Sequence, residues 1–385
     1  MRLLNVHSLE PCSGDSRYVE TPIRGRLRTP IRTTGFLEFR CALLLLTLLT
    51  SIACGGGGGG SGRIVVSEFL KTETIPVKMA FAPDGRLFFT ELATGAVRIV
   101  TDGSLQETPF AVVSVPQGTG DGLTGIALDP DFEETHRVFL YYTSSGEQIT
   151  ERGDNRLVSY EEHDGMGINE HVLLSGIPSG GHNGGALLFD TDASLLVSTG
   201  DAGNPANAQD VDSLAGKILR LNRDGAIPSS NPFPDSYRFA DGFRNIFGMD
   251  LDVRTGQVYV ADNGPDCDDE VNLLHAGLNY GWRPEYLCGE TSEVFESPLL
   301  SFTPSEGPTA LKVYYGDTFP ELNGKLLYAD YNNGRIRVLT RRAGALSVES
   351  ELVDGAFGSI LGIAINEVGE IYFSTPEGIY RIHRE

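Results

Sequence analysis

A chain of 385 residues with 52 acidic against 30 basic side chains carries a formal charge of −22, and so acidic a surface excludes nucleic acid as a partner. Calcium, or a neutral small molecule, suits that field better. Hydrophobic content of 40% with 47 Gly and 20 Pro describes a globular chain rich in turns, long enough for one large all-β unit or two average domains.

Residues 1–40 hold seven arginines, no lysine and no periodicity, and we expect no stable fold there. Arg40 precedes an apolar run of about a dozen residues, too short to cross a bilayer and right for a signal-peptide core. Ser51 and Ala53 then lead into Cys54 in a segment that resembles a bacterial lipobox, whose cysteine is lipidated and becomes the mature N-terminus. A plain secretory signal is the alternative. Residues 55–62, GGGGGGSG, form a flexible tether between residues 1–54 and a folded part at 63–385. The expected product is exported, either lipid-anchored and facing the periplasm or cell exterior, or secreted. Only Cys267 and Cys288 lie in the folded part. An even pair in an exported domain reads as a disulfide, with two buried thiols as the alternative.

From Arg63 onward a polar turn followed by alternating apolar residues recurs six times: near Gly85, Thr135, Ala193, Gly256, Gly324 and Gly369. A spacing of about 45 to 70 residues is close to that of β-propeller blades. The fold class expected is all-β, a six-bladed β-propeller of four-stranded antiparallel blades; an irregular β-sandwich is the alternative. RIVVSEFL, at residues 63–70, would supply a strand to the last blade and close the ring. VNLLHAG near Val271 is at most a turn or two of helix.

Residues 181–282 gather the side chains capable of redox or metal chemistry. His182, in SGGHNGG, sits among glycines that let a ligand approach the backbone, and imidazole chemistry suits a general base. A loop histidine bonded to a carbonyl is the competing reading. Asp201 ends the same hairpin, where an out-and-back excursion returns a carboxylate that orients the imidazole. Arg244 and Asn245, in DGFRNIFG, either face a carboxylate or oxyanion or brace their own loop. The run DNGPDCDDE sets Asp262, Asp266, Asp268, Asp269 and Glu270 around a Gly264-Pro265 turn. Clustered hard oxygens favour Ca²⁺ over zinc, for which His275 and a cysteine pair make a poor set; a solvated acidic loop is the alternative. Trp282, beside Tyr280, reads as packing, and an RGD triplet at 152–154 is too short to signify adhesion.

Taken in order, GLTGIALDPDF at 122–132, GHNGG, TGDAG, AGKILRLNRDGAIPSSNPF, GFRN, NGPDCDDEVNLL and LNYGW resemble the soluble PQQ-dependent glucose/sorbosone (aldose sugar) dehydrogenase family, from about Val65 to Arg384. The resemblance implies a six-bladed propeller in which His182 is the base taking the sugar hydroxyl proton as hydride passes to PQQ. It implies further that Asp201 pairs with that base and that Arg244 and Asn245 face the quinone oxygens. The carbonyls of Gly264 and Pro265 would then hold a Ca²⁺ that polarises the cofactor, with structural calcium at Asp269, Glu270 and the Tyr280 backbone. Well-studied members anchor the cofactor's three carboxylates with a lysine and two arginines. Here those positions read Asn332 or Asn333, and Ser359 and Leu361, while Gly120 or Asp121 replaces a glutamine. At roughly 1.5–3 kcal/mol for each charge-assisted hydrogen bond, losing three weakens binding by three or more orders of magnitude. Arg335 and Arg337 share one strand face and substitute only if that face turns inward; an outward, solvent-facing pair is the other expectation. ADYNNGRIRVL is also similar to Hedgehog-interacting-protein-like relatives, propellers known as binding modules.

The function expected is a PQQ-dependent sugar dehydrogenase that oxidises the anomeric C1 of aldoses to lactones and passes electrons to an external acceptor. The alternative is a calcium-stabilised, non-catalytic binding module at the cell surface. A glycosidase would need paired carboxylates at a defined separation, which spacing alone does not establish.

Overall fold

Each of the six turn-centred repeats forms the hairpin between the first and second strands of a blade. In the computed structural model, which describes residues 62–385, these hairpins join Pro76–Phe81 to Leu87–Glu91, Leu123–Leu128 to Arg137–Ser145, Leu187–Phe189 to Leu195–Ser198, Ile246–Asp252 to Gln257–Asp262, Pro308–Val313 to Leu326–Asp330, and Gly362–Ile365 to Ile371–Thr375. The expected leader, the expected lipidation site Cys54 and most of the glycine tether lie outside the described residues. A third and a fourth antiparallel strand complete every blade; in the first blade the fourth is split into Ser104–Leu105 and Ala111–Val112, both paired with Ala96–Thr101.

The first strands line the axis and touch one another in cyclic order, the sixth returning to the first. Ile64–Lys71 pairs antiparallel with Gly378–Arg384 as the outermost strand of the sixth blade. The ring is therefore closed by joining the two ends of the domain, which removes a free edge that would otherwise invite pairing with another chain.

Apolar side chains fill the seams between blades. Phe88, Ile99, Leu140 and Val158 pack where the first blade meets the second, and Ile336, Val338, Ile363 and Phe373 where the fifth meets the sixth. Burying each such side chain contributes roughly 1.5–3 kcal/mol. Because a blade is covered on both faces, second strands such as Leu87–Glu91 and Leu326–Asp330 are buried at every position. They read as near-continuous apolar runs where a half-exposed strand would alternate. The first strands approach so closely that side chains are excluded at some points. A Cβ on Gly125 would lie 2.3 Å from the Gly185 carbonyl oxygen, and one on Gly362 would lie 2.2 Å from that of Val77.

One local expectation changes. Val271 belongs to the strand Asp269–Leu273, the third of the fourth blade, where its side chain is buried in a seam; tertiary pairing overrides a helical reading of a short apolar run. The RGD triplet is architectural. Arg152 pairs with Asp121, and Asp154 accepts bonds from Ser144, Arg156 and the Gly176 amide.

Candidate active site

The loops that lead into the first strands share one end of the axis, and there His182 meets Asp201. The backbone makes this possible through glycine. A Cβ on Gly200 would lie 2.3 Å from the His182 carbonyl oxygen, and one on Gly180 would lie 1.8 Å from that of Ala202. The two loops therefore lie against each other, and the Ala202 amide donates to the His182 carbonyl at 3.0 Å. Asn183 pins the histidine loop: its Oδ1 accepts from the Gly180 amide and Asn155, and its Nδ2 donates to Asp121 at 2.8 Å. Asp121, which with Gly120 spans the place where the resemblance expected a glutamine, braces this loop.

His182 Nδ1 lies 2.7 Å from Asp201 Oδ1, with the imidazole 20% exposed and the carboxylate 1% exposed. Asp201 Oδ1 also accepts from the Gly203 amide, and Oδ2 accepts from the indole Nε1 of Trp282 at 2.7 Å. With both oxygens committed, the carboxylate holds one tautomer, Nδ1–H, and leaves Nε2 as a basic lone pair. No described residue hydrogen-bonds to His182 Nε2.

Arg244 belongs to the same mouth. Its carbonyl accepts from the Asp201 amide at 2.8 Å, and its guanidinium lies over the Trp282 ring at 5.5 Å. Among the described residues, its one hydrogen-bond partner through the side chain is the Asn263 carbonyl at 3.1 Å, which leaves several donors uncommitted. Burial pulls its pKa below the ordinary guanidinium value, against the opposing pull of Asp262, Asp201, Asp269 and Asp266. Asn245 is turned to structure, its Oδ1 accepting from the Gly184 amide.

The acidic run divides by role. Asp262 accepts the backbone amides of Arg244 and Asn245 at 2.9 and 2.6 Å and thereby sets the arginine loop; burial raises its pKa to about 7. Asp268 accepts from Thr303, Tyr286 and the Gly289 amide. Asp269 accepts from the amides of Gly264, Glu306 and Gly307. Asp266 is exposed. Among the described residues, Glu270 is held only through Oε2, by Asn272 at 3.0 Å; burial, then Asp262, Asp268 and Asp269, raise its pKa to about 8. Cys267 and Cys288 form the expected disulfide, which closes the loop carrying Tyr280 and Trp282. Tyr280 is buried against Phe243.

For a hard cation, the chemistry of this donor set points to carbonyls more than to a carboxylate cage. Among the described residues, the one tight grouping of potential metal-binding side chains is Cys267, Cys288 and Asp268, two of which are consumed by the disulfide. The Gly264 carbonyl accepts no hydrogen bond from the described residues, and that of Pro265 accepts only a long one from Ser305 at 3.3 Å. Gly264 itself is needed for the turn, since a Cβ there would lie 1.9 Å from the Cys267 carbonyl oxygen.

The absent anchors are not replaced by Arg335 or Arg337. Arg337 is buried against Glu306 and Glu351, and Arg335 approaches Glu351 at 3.8 Å. Asn332 donates to the Ser305 carbonyl, and Asn333 takes part through its amide in a turn closed by Asp330.

Two residues at this end escape a sequence reading. Trp282 is tied to the dyad through its indole as well as packed. Lys78, in the first strand of the first blade, projects into the axis: its Nζ reaches the carbonyls of Thr309 and Leu361, from the fifth and sixth blades. A lone lysine inside the apolar run PVKMAF was the available signal.

A closed propeller with a carboxylate-held imidazole and an arginine at one mouth presents a general base and a cation to whatever binds there. The chain belongs to the Glucose / Sorbosone dehydrogenase family, which it matches over residues 73–383. It is 32% identical over 346 residues, 78% of this chain and 81% of the relative, to the uncharacterized protein slr1608 of Synechocystis sp.. It is 26% identical over 324 residues, 78% of this chain and 87% of the relative, to the aldose sugar dehydrogenase YliI of Escherichia coli. The PQQ-bound aldose sugar dehydrogenase of Streptomyces coelicolor superposes with a TM-score of 0.73 at 25% identity, over 85% of this chain and 100% of that one.

Proposed function

We propose that the protein oxidises the anomeric carbon of an aldose to a lactone, with PQQ as its cofactor and an external acceptor taking the electrons. The observation that carries this reading is the 2.7 Å contact between His182 Nδ1 and Asp201 Oδ1 in a mouth that also presents Arg244. Nε2 of His182 accepts the proton of the C1 hydroxyl, and Asp201 stabilises the imidazolium that results. The Arg244 guanidinium offers its uncommitted donors to oxygen that gains negative charge. Pyrroloquinoline quinone, when bound, supplies the acceptor for the C1 hydride. Removal of the hydroxyl proton and the C1 hydrogen with its electron pair leaves a C1 carbonyl within the ring, which is the lactone.

Ca²⁺ belongs to the same proposal. The carbonyls of Gly264 and Pro265 are the donors we assign beside the cofactor. Glu270, with one uncommitted oxygen, is the principal donor of a second, structural site with the Tyr280 carbonyl; Asp269 has little coordinating capacity beyond the three amides it already accepts. Export agrees with the disulfide, which persists in an oxidising compartment, and lipid attachment at Cys54 remains part of the reading.

Dye reduction by purified protein supplied with PQQ, Ca²⁺ and a panel of aldoses tests the activity. His182→Ala should abolish turnover while leaving the melting temperature nearly unchanged; equal rates in that variant would refute the assigned base.

A further inference from the structure

Lys78 carries a charge that the propeller leaves unneutralised. Its Nζ donates to the carbonyl oxygens of Thr309 at 2.5 Å and Leu361 at 3.0 Å, and lies 5.6 Å from the centroid of the Phe247 ring. These partners belong to the fifth, sixth and fourth blades, and the fourth stands opposite the first in a ring of six. A side chain that touches all three crosses the central axis. An ammonium has three donors, here with two carbonyl acceptors, and no carboxylate of the described residues forms an ion pair with it. Its charged neighbour is another cation, Lys312, itself paired with Asp250 at 2.8 Å. Lys78 as a whole is half-buried.

The height of Lys78 is that of the active-site mouth. Thr309 follows Pro308, whose carbonyl accepts from Asn263 Nδ2 at 2.9 Å, and the Asn263 carbonyl accepts from Arg244 at 3.1 Å. Leu361, the other acceptor, is one of the two positions at which the family's arginines are missing.

We propose that Lys78 is the carboxylate anchor of this site: a cation delivered from the first blade that binds a carboxylate of the quinone cofactor seated over the mouth of the axis. The inference rests on the quinone reading above. Burial, and then Lys312, lower the pKa of Lys78 to about 7, as expected for a cation lacking a counter-ion; an arriving carboxylate supplies one. The residue thus replaces, from a different blade, part of what Asn332, Asn333, Ser359 and Leu361 do not provide.

The only tryptophan of the chain, Trp282, is hydrogen-bonded to the dyad and reports on binding through quenching of its emission by PQQ. Titration of the Ca²⁺-supplied full chain should show Lys78→Met binding PQQ about ten- to a hundred-fold more weakly than wild type, as loss of one charge-assisted hydrogen bond predicts. Lys78→Arg should stay within a few-fold. The uncharged trimethyl ester of PQQ should bind wild type and Lys78→Met alike, which separates charge recognition from a general disturbance. The melting temperature of Lys78→Met should equal or exceed that of wild type, because an unpaired cation has been removed. Equal PQQ affinity in wild type and Lys78→Met overturns the assignment of Lys78 while leaving the quinone reading intact, as does an equal loss for acid and ester. Absence of PQQ binding to the wild type overturns the quinone reading and the anchor together.

Discussion

Trp282 donates its indole hydrogen to Asp201 Oδ2 at 2.7 Å, joining residues 81 positions apart. Asp201 is almost wholly buried, so each of its oxygens needs a donor, and the indole satisfies the one that His182 does not. The tryptophan is itself placed by Gln209, which donates to its carbonyl at 2.7 Å, and by its own amide, which donates to Gly242 at 3.0 Å. It therefore acts on the imidazole through the carboxylate, as a positioning residue.

Trp282→Phe keeps the ring that faces Arg244 and Tyr286 but deletes the donor. We expect kcat to fall about tenfold or more, in line with roughly 1.5–3 kcal/mol for a hydrogen bond to a charged group, with a smaller change in KM. Steady-state kinetics with a dye acceptor, alongside a melting curve, checks this. An unchanged kcat would remove Trp282 from the positioning role.

Buried Arg337 pairs with half-buried Glu306, Nη2 donating to Oε1 at 2.9 Å with the guanidinium over Phe302. Arg337→Met leaves the Glu306 carboxylate uncompensated and should cost about 3–5 kcal/mol of stability. Combining it with Glu306→Gln should recover most of that loss. Denaturant unfolding of the single and double variants measures both, and the affinity for PQQ should not change in the double variant. A large loss of affinity there would return Arg337 to the list of cofactor anchors.

Asp330 is fully buried; Oδ1 accepts from the Asn333 amide at 2.6 Å, and Oδ2 has no hydrogen-bond partner among the described residues. Burial, opposed by that amide and reinforced by Glu306, raises its pKa from 3.8 to about 6. The folded state then binds more protons than the unfolded state between those values, so stability from this group is present at low pH and is lost as pH rises from about 4 to about 6. The loss amounts to roughly 3 kcal/mol at 1.36 kcal/mol per pKa unit. Asp330→Asn should flatten this slope, raising the melting temperature relative to wild type at pH 7 and not at pH 4. Parallel melting curves across that interval decide it; a shift of equal size at both pH values would contradict the assigned titration.

Calcium should stabilise the folded state by mass action, by about 2.7 kcal/mol at a hundred-fold excess over Kd. Chelation should lower the melting temperature of the wild type, and re-addition of Ca²⁺ should restore it. Glu270→Gln should reduce the Ca²⁺-dependent increment without preventing the Cys267–Cys288 disulfide. An identical increment in wild type and variant would exclude Glu270 as a donor.

The architecture was legible because it repeats. Six turns followed by apolar strands, at Gly85, Thr135, Ala193, Gly256, Gly324 and Gly369, each mark one hairpin, and local turn chemistry together with strand propensity sets a hairpin without reference to the rest of the chain. The disulfide was legible for a similar reason, as two cysteines were left in the folded part and the chain brings them together.

The site divides differently. Glycine-flanked His182 and the hairpin end Asp201 announced themselves, because loop composition and a separation along one hairpin are properties of the sequence. Lys78 and Trp282 did not, because their partners come from other blades: Thr309 and Leu361 for the lysine, Asp201 for the indole. The acidic run at 262–270 could be seen but not sorted. Its carboxylates look equivalent in sequence, yet Asp262, Asp268 and Asp269 are bound to amides and hydroxyls while Glu270 keeps an uncommitted oxygen. Local sequence determined the strands, the turns and the kinds of chemistry present. Closing the ring decided which groups meet and which charges stay unpaired, because those depend on contacts between strands hundreds of residues apart.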